Sequence, residues 1–316
     1  MYKYVFKRLL MMIPVLIGVT FVVFFILDLT PGDPARAILG EQASAESIEA
    51  LREEMGLNYN VFIRYFRYLG GILQGDLGRS FRNQLPVLPQ VMERLPNTII
   101  LAASAMTLSL LIGIPIGILS ARKQYTFTDN IFTVLGMIGI SMPSFFMGLL
   151  LVLLFSLYLG WLPSGGMGVG TIPLLRSLVL PTITAGTAGA AIILRMTRSS
   201  MLEVIRQDYI DTVRAKGLKE SKVVTRHMLK NALVPIITVA GLQFGMLLGG
   251  IAIVETIFAW PGLGRFMVDN IRMQDTPMVL GSVLLLAIMY SIINLLVDLL
   301  YAFVDPRIKS QYKAAK

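Results

Sequence analysis

The sequence contains no cysteine and a single histidine, His227, in 316 residues. Without cysteine there is no disulfide framework and no thiolate metal site, so the redox environment cannot be inferred from the sequence. One histidine also excludes a histidine-rich metal site and the His-Glu-x-x-His motif of metalloproteases. Because His227 lies close to Arg226 and Lys230, we expect it at the surface or in a protein contact. No metal site is predicted.

Phosphate-binding loops are absent as well. The sequence has no G-x-x-x-x-G-K-[ST] motif and not even a Gly-Lys dipeptide, which excludes ATP hydrolysis through that loop. An enzyme embedded in a membrane would need a reactive cluster such as paired aspartates within apolar segments. Asp298 is the one acid deep in such a segment, so this class is disfavoured.

Charged residues are scarce, at 15% of the chain, whereas 55% of the residues are hydrophobic and the mean hydropathy is +0.71. These values are too apolar for an ordinary soluble domain. The apolar residues form blocks of about 20 or more, the length that crosses the hydrocarbon core of a bilayer. The composition therefore predicts a polytopic α-helical membrane protein.

The apolar blocks predict six membrane spans. The third block is about 30 residues long and contains Pro143, which removes a backbone donor, so its length alone allows either one kinked span or two spans. The distribution of basic residues favours a single kinked span. The six predicted spans cover about residues 9–29, 97–120, 130–159, 179–197, 234–257 and 279–303.

The basic residues predict the orientation. With six spans and a cytoplasmic N-terminus, 18 of the 28 lysines and arginines face the cytoplasm, nine of them between Arg195 and Lys230. The short outer loops hold three, and the first outer loop holds seven against eight acids. Seven spans would place the basic segment and the basic tail outside, against the positive-inside rule. We expect cytoplasmic termini, an uncleaved signal anchor as the first span, and no nucleic-acid partner.

The first outer loop, residues 30–96, is too long to be a simple connector. Ser44 is a candidate N-cap, and Gly56 is a natural stop for the helix between them. A second amphipathic stretch follows from Phe62 to Leu73. We therefore expect a small helical insertion on the extracytoplasmic side, and a part in substrate docking is the alternative to simple packing.

The segment 198–233, between the fourth and fifth spans, carries the most information. Ser200 and Glu203 form a capping-box pattern, after which Ile205, Tyr209 and Val213 recur at a spacing of four. Gly217 can close this helix in the left-handed conformation. A second helical stretch, Ser221–Leu233, leads to Pro235 at the start of the fifth span. The sequence thus predicts a helical hairpin that projects into the cytoplasm.

Asp211-Thr212-Val213-Arg214-Ala215-Lys216-Gly217 resembles the coupling motif of type I ABC importer permeases. Further strings resemble the dipeptide/oligopeptide/nickel branch of that family, and together they cover nearly the whole chain. They are Pro31–Pro34, Gly75–Gly78, Arg195–Val204, Asp208–Ile210, Ala215–Leu218, Lys230–Pro235, Glu255–Gly264, Asn294–Tyr301 and Asp305–Arg307. Thr212 and Val213 stand where the general motif has paired alanines, and Lys230-Asn231-Ala232 replaces a common Leu-Pro ending.

The resemblance implies a six-helix permease that imports substrate delivered by an external binding protein. It implies a second homologous permease subunit, two ATPase subunits that bind ATP and magnesium, and no cofactor on this chain. Its location would be the cytoplasmic membrane of a prokaryote. The residues expected to couple the permease to the ATPases are Asp208, Tyr209, Asp211, Thr212, Arg214, Ala215, Lys216 and Gly217.

Four residues are candidates for the gate or the pathway. Glu255 and Trp260 lie near the outer end of the fifth span, where a re-entrant turn and simple anchoring of Trp260 at the membrane interface are both open. Asn294 and Asp298 lie in the sixth span, where a polar pathway competes with hydrogen bonds between helices.

The expected organisation is a first span (residues 1–29), the insertion (30–96), a five-helix core (97–305) and a tail (306–316). Dipeptides or oligopeptides are the expected substrates, with nickel chelates, glutathione or oligosaccharides as alternatives. A secondary transporter that works without ATPases is the rival class, although the internal repeats typical of that class are not evident.

Overall fold

The computed structural model describes residues 2–40 and 42–304, and its regular elements are helices apart from one β-bridge between Arg79 and Pro86. The predicted tail, 306–316, lies outside the described residues. The helices are α1 (Tyr2–Leu29), α2 (Pro34–Leu39), α3 (Ala45–Glu54), α4 (Val61–Leu73), α5 (Val87–Arg122), α6 (Phe127–Ser141), α7 (Ser144–Leu151), α8 (Thr171–Ile205), α9 (Asp208–Ala215), α10 (Glu220–Lys222), α11 (Leu229–Ile257), α12 (Leu263–Arg272) and α13 (Thr276–Val304). Two π-helical segments, Val152–Tyr158 and Val223–Met228, continue α7 and α10.

Five continuous helices in the described part of the chain are long and apolar enough to cross a membrane. A sixth candidate is the pair formed by α6 with Ser144–Tyr158, whose two halves meet at an angle of 103°. This confirms the predicted all-helical fold with up to six spans. The five continuous segments are Val5–Leu29, Val87–Arg122, Thr171–Ile205, Glu220–Ile257 and Thr276–Leu299.

The third block is broken rather than gently kinked. Met142 adopts an extended conformation (φ −81°, ψ 121°) because the ring of the following proline disfavours the helical region for the residue before it. Pro143 is the N-cap residue of α7, and no side chain there accepts a hydrogen bond from the first amides of the helix. A proline inside a continuous helix would give a much smaller change of direction.

One compact unit contains the described residues up to Thr98 together with Pro261–Ser291. In it, α4 packs on α1: the Tyr65 hydroxyl lies 2.7 Å from the Ile17 carbonyl oxygen, to which it donates a hydrogen bond. The helical insertion is confirmed, since Ser44 Oγ caps α3 by accepting from the Ser47 amide and Gly56 follows the helix at φ +68°. This unit ends in the amphipathic α12 and the first half of α13.

The second unit contains Ile99–Trp260 and the described residues from Ile292. Its helices α5 and α8 touch along their backbones, because a Cβ atom at Gly113 or Gly117 would lie 2.7 Å from a carbonyl oxygen of α8. Helices α11 and α13 also pack tightly, because a Cβ at Gly241 would overlap the side chain of Val297. Small residues of this kind allow membrane helices to approach closely.

Two local predictions for the segment 198–233 are wrong. Helix α8 passes through Ser200, which is buried inside the helix and is not an N-cap, and it ends at Ile205. Pro235 lies inside α11 rather than at the start of a span, because the helix that begins at Glu220 runs on to Ile257. The capping-box pattern failed because α8 supplies intrahelical partners for the same backbone groups.

Candidate functional site

The candidate site is the segment 206–228, which we name the coupling hairpin after its predicted role. Helix α8 ends at Ile205, Arg206 caps it, Gln207 is extended, and α9 begins at Asp208. The chain then turns at Gly217, whose φ of +75° lies in the left-handed region that favours glycine. The predicted turn is therefore confirmed, but the predicted single helix is two helices separated by a break.

One face of α9 is fixed in the protein. Ile210 is completely buried, in a cluster with Met201 of α8 and Met228 at the end of the hairpin. Val213, one turn later, packs against the same cluster, as does Ala121 at the end of α5. The buried positions of α9 are thus Ile210 and Val213, whereas the predicted face joined Val213 to Tyr209, which is 39% exposed.

The opposite face of α9 is open. The exposed residues include two acids, a hydroxyl, a small residue and a base that follows the helix, so this face is polar and accessible to solvent. They are Asp208, Asp211, Thr212, Ala215 and Lys216.

Arg214 closes the turn of the hairpin. Its Nη2 lies 3.1 Å from Glu220 Oε1 and its Nε lies 3.3 Å from Glu220 Oε2, while Nη1 lies 3.5 Å from Asp211 Oδ1. The carboxylate of Glu220 and, to a smaller extent, that of Asp211 raise the pKa of Arg214. The group is exposed, so the pairs contribute to the shape of the turn more than to stability.

A polar contact joins α9 to α11. Asn231 Nδ2 donates to the Tyr209 hydroxyl at 2.7 Å and to the His227 carbonyl oxygen at 2.9 Å. The Tyr209 hydroxyl also lies 3.3 Å from the same carbonyl oxygen. Asn231 belongs to the Lys230-Asn231-Ala232 string, so the departure from a Leu-Pro ending supplies the side chain that holds the predicted coupling residue Tyr209.

Sequence reasoning missed an ion pair beside the hairpin. Asp129, at the start of α6, is 2% exposed and accepts two hydrogen bonds from the Arg198 guanidinium, from Nε at 2.8 Å and from Nη2 at 2.7 Å. The same carboxylate accepts from the Ser120 hydroxyl at the end of α5 and from the Tyr125 amide at 3.1 Å. This Asp129–Arg198 pair therefore ties α5 and α6 to α8, two turns before the hairpin.

A local signal could have pointed to Asp129. Thr126 and Asp129 form an [ST]-x-x-[DE] pattern before an apolar run, and Thr126 is indeed the N-cap of α6. The pattern locates the helix start. It does not show that the acid binds an arginine 69 residues later.

The four gate or pathway candidates lie in the second unit. Glu255 is in α11, Trp260 follows that helix, and Asn294 and Asp298 are in α13. Glu255 and Trp260 are both completely buried, and the Trp260 amide donates to the Glu255 carbonyl oxygen. Anchoring of Trp260 at a membrane interface is therefore wrong, since an anchor must reach the headgroups. Asn294 and Asp298 are half-buried, one turn apart on the same face of α13.

No group of three or more acidic or histidine side chains in residues 2–40 and 42–304 could hold a metal ion.

Comparison with known proteins identifies the family. Residues 113–310 match the family described as the inner membrane component of binding-protein-dependent transport systems. Residues 1–102 match the N-terminal region of the membrane components of such systems. The chain belongs to this family. It is a permease subunit, and the hairpin lies within the matched region.

Two relatives match the permease over nearly its whole length. It is 43% identical to the dipeptide transport system permease protein DppB of Alkalihalophilus pseudofirmus, with 98% of this chain and 100% of the relative covered. It is 44% identical to the glutathione transport system permease protein GsiC of Pectobacterium atrosepticum, with 98% and 99% covered.

The permease fold also resembles a solved structure. The inward-facing MetNI methionine ABC transporter aligns with a TM-score of 0.54 and 20% identity, over 68% of this chain and 96% of that chain. At this identity the likeness shows the fold alone. The expected ABC importer permease fold is thereby confirmed.

Proposed function

We propose that the permease forms half of the pathway of an ATP-driven importer in the cytoplasmic membrane of a prokaryote, with the coupling hairpin on the cytoplasmic side. The observation that carries this proposal is the two-sided character of α9. Ile210 fixes the helix in the core of the second unit, while Asp208, Asp211 and Thr212 are presented to a partner. The partners would be two ATPase subunits that hold ATP and magnesium, a second homologous permease and an external binding protein.

The proposed substrates are dipeptides or oligopeptides, by analogy with the DppB relative. Glutathione is the second candidate, because the GsiC relative is equally similar and glutathione is itself a small peptide. The external binding protein would select among them.

In the proposed mechanism, closure of the ATPases moves α9, and the spans reorient between outward and inward access. The buried cluster around Ile210 carries the displacement to the ends of α5, α8 and α11. The Asp129–Arg198 pair makes the start of α6 follow α8. The gate would respond at a distance from α9, and its candidate residues are Glu255, Trp260, Asn294 and Asp298.

The test is Asp211→Lys in the complete complex. Reversing an exposed charge in the docking face is expected to lower both substrate uptake and ATP hydrolysis stimulated by the binding protein by at least about tenfold, because like charges across an interface cost several kcal/mol. Gly217→Val changes the turn that presents the same face and should act in the same direction. Glu46→Lys, an exposed acid-to-lysine change on α3, is the matched control and should leave both rates unchanged. Survival of both rates in the two hairpin variants would exclude this docking face.

A secondary transporter predicts a different result. The permease reconstituted without ATPase subunits would then accumulate substrate in response to an ion gradient. Such uptake, insensitive to Asp211→Lys, would replace the proposed function.

A further inference from the structure

A groove of about 750 Å³ lies between α6 and α8 and reaches the first two residues of the coupling hairpin, Arg206 and Gln207. Its apolar lining includes Met137, Ile140, Ala191 and Leu194, and its polar lining includes Arg195 and Arg206. We refer to this feature as the α6–α8 groove.

The groove is apolar at one end and polar at the other. The Asp129–Arg198 pair joins the start of α6 to the late part of α8, whereas Gly139 lies against Thr187 and Ala191. The two helices therefore run in opposite directions. Ile140 and Ala191 consequently lie toward the middle of the apolar segments, and the arginines lie where α8 leaves them.

The polar end carries a positive charge. Arg195 and Arg206 are exposed, and Glu203 is the acid that lines the groove with them. Arg198 also lines the groove, but its guanidinium already binds the Asp129 carboxylate. Guanidinium groups bind phosphate oxygens in a planar, often bidentate geometry.

We propose that the α6–α8 groove binds an anionic phospholipid, with the headgroup at the polar end between Arg195 and Arg206 and an acyl chain along Met137 and Ile140. Basic pockets between membrane helices at the level of the headgroups suit this class of ligand. A free anion would leave the apolar end of the groove uncovered, and a neutral lipid would leave the arginines without a counter-charge. The site is independent of the transported substrate.

The test uses the full-length permease with its partner subunits, released from membranes and analysed by native mass spectrometry. The probes are phosphatidylglycerol and phosphatidylcholine, added in equal amounts. The intact permease should retain phosphatidylglycerol preferentially. Arg195→Gln with Arg206→Gln should weaken that retention roughly 10- to 30-fold, the effect expected from two basic residues near a membrane surface.

The matched control is Lys219→Gln with Lys222→Gln, which removes the same charge from exposed positions outside the groove. It should retain phosphatidylglycerol as the intact permease does. Met137→Trp, at a position that is 61% exposed, should block the apolar end without disturbing the core and should also reduce retention.

Three results would overturn the proposal. Equal loss in the lysine control would show general surface attraction. Displacement of the retained phosphatidylglycerol by inorganic phosphate would show a simple anion site. Loss of the second permease subunit in Met137→Trp, with lipid retention unchanged, would show that the groove is a contact between subunits.

Discussion

At the scale of single residues, Asp129 is a buried carboxylate of the second unit whose two oxygens are both hydrogen-bonded. Its carboxylate accepts four hydrogen bonds, from Arg198 twice, from Ser120 and from Tyr125. A buried carboxylate is costly unless its oxygens are paired and hydrogen-bonded. All the donors needed for that are supplied by three neighbouring elements.

Asp129→Ala should therefore lower the free energy of unfolding by about 3–5 kcal/mol, because it leaves the Arg198 guanidinium unpaired in a partly buried position. Unfolding of the purified permease in mixed micelles by titration with sodium dodecyl sulfate measures this change. Asp208→Ala, at an exposed position on α9, is the control and should stay within about 0.5 kcal/mol of the unchanged chain. Equal stabilities for the two variants would show that the Asp129–Arg198 pair contributes nothing.

At the scale of helices, contact between backbones decides how α5 sits on α8. Gly117 leaves no room for a side chain, since a Cβ there would lie 2.6 Å from Thr197 Cβ. Gly249 in α11 has no atom within 4 Å of the corresponding position. The two glycines are both helical, so they separate the effect of packing from that of helix propensity.

Gly117→Ala is expected to destabilise the permease by about 1–3 kcal/mol, the usual cost of overpacking. Gly249→Ala is expected to be neutral or to stabilise it by up to about 1 kcal/mol, the propensity difference between alanine and glycine. The same unfolding titration compares them. A loss of stability of the same size in both variants would contradict close packing of α5 against α8.

Local signals predicted helices well where the decisive contacts were local. Ser44 caps α3 and Gly217 ends the hairpin turn through bonds to residues a few positions away, and both were visible in the sequence. The capping-box pattern at Ser200 was misleading, because burial inside α8 overrode it.

Contacts between distant residues could not be predicted in the same way. The Asp129–Arg198 pair joins residues 69 positions apart, and Asn231 reaches Tyr209 across the turn of the hairpin. Hydropathy located the third apolar block but not its 103° bend, since apolar patterning carries no information about direction. The burial of Trp260 was missed because a tryptophan near the end of a span has the same sequence signature as an interfacial anchor.

At the scale of the whole molecule, the proposed function requires that the hairpin face the cytoplasm. The absence of cysteine makes it directly testable. Single cysteines at Ser221, in the hairpin, and at Glu46, in α3, place one thiol on each of two exposed segments.

In intact cells, a membrane-impermeant maleimide added from outside should label Glu46→Cys and leave Ser221→Cys unlabelled. Disruption of the membrane should expose both thiols, which controls for their reactivity. Labelling of Ser221→Cys in intact cells would place the hairpin on the side that lacks ATP, and the proposed coupling to ATPases would fail.

The bend between α6 and α7 leaves backbone groups that need partners from outside the helix. The first turn of α7 has amide groups without partners inside the helix, and no side chain caps them. Hydrocarbon does not tolerate such groups, so another protein surface or trapped water must cover them.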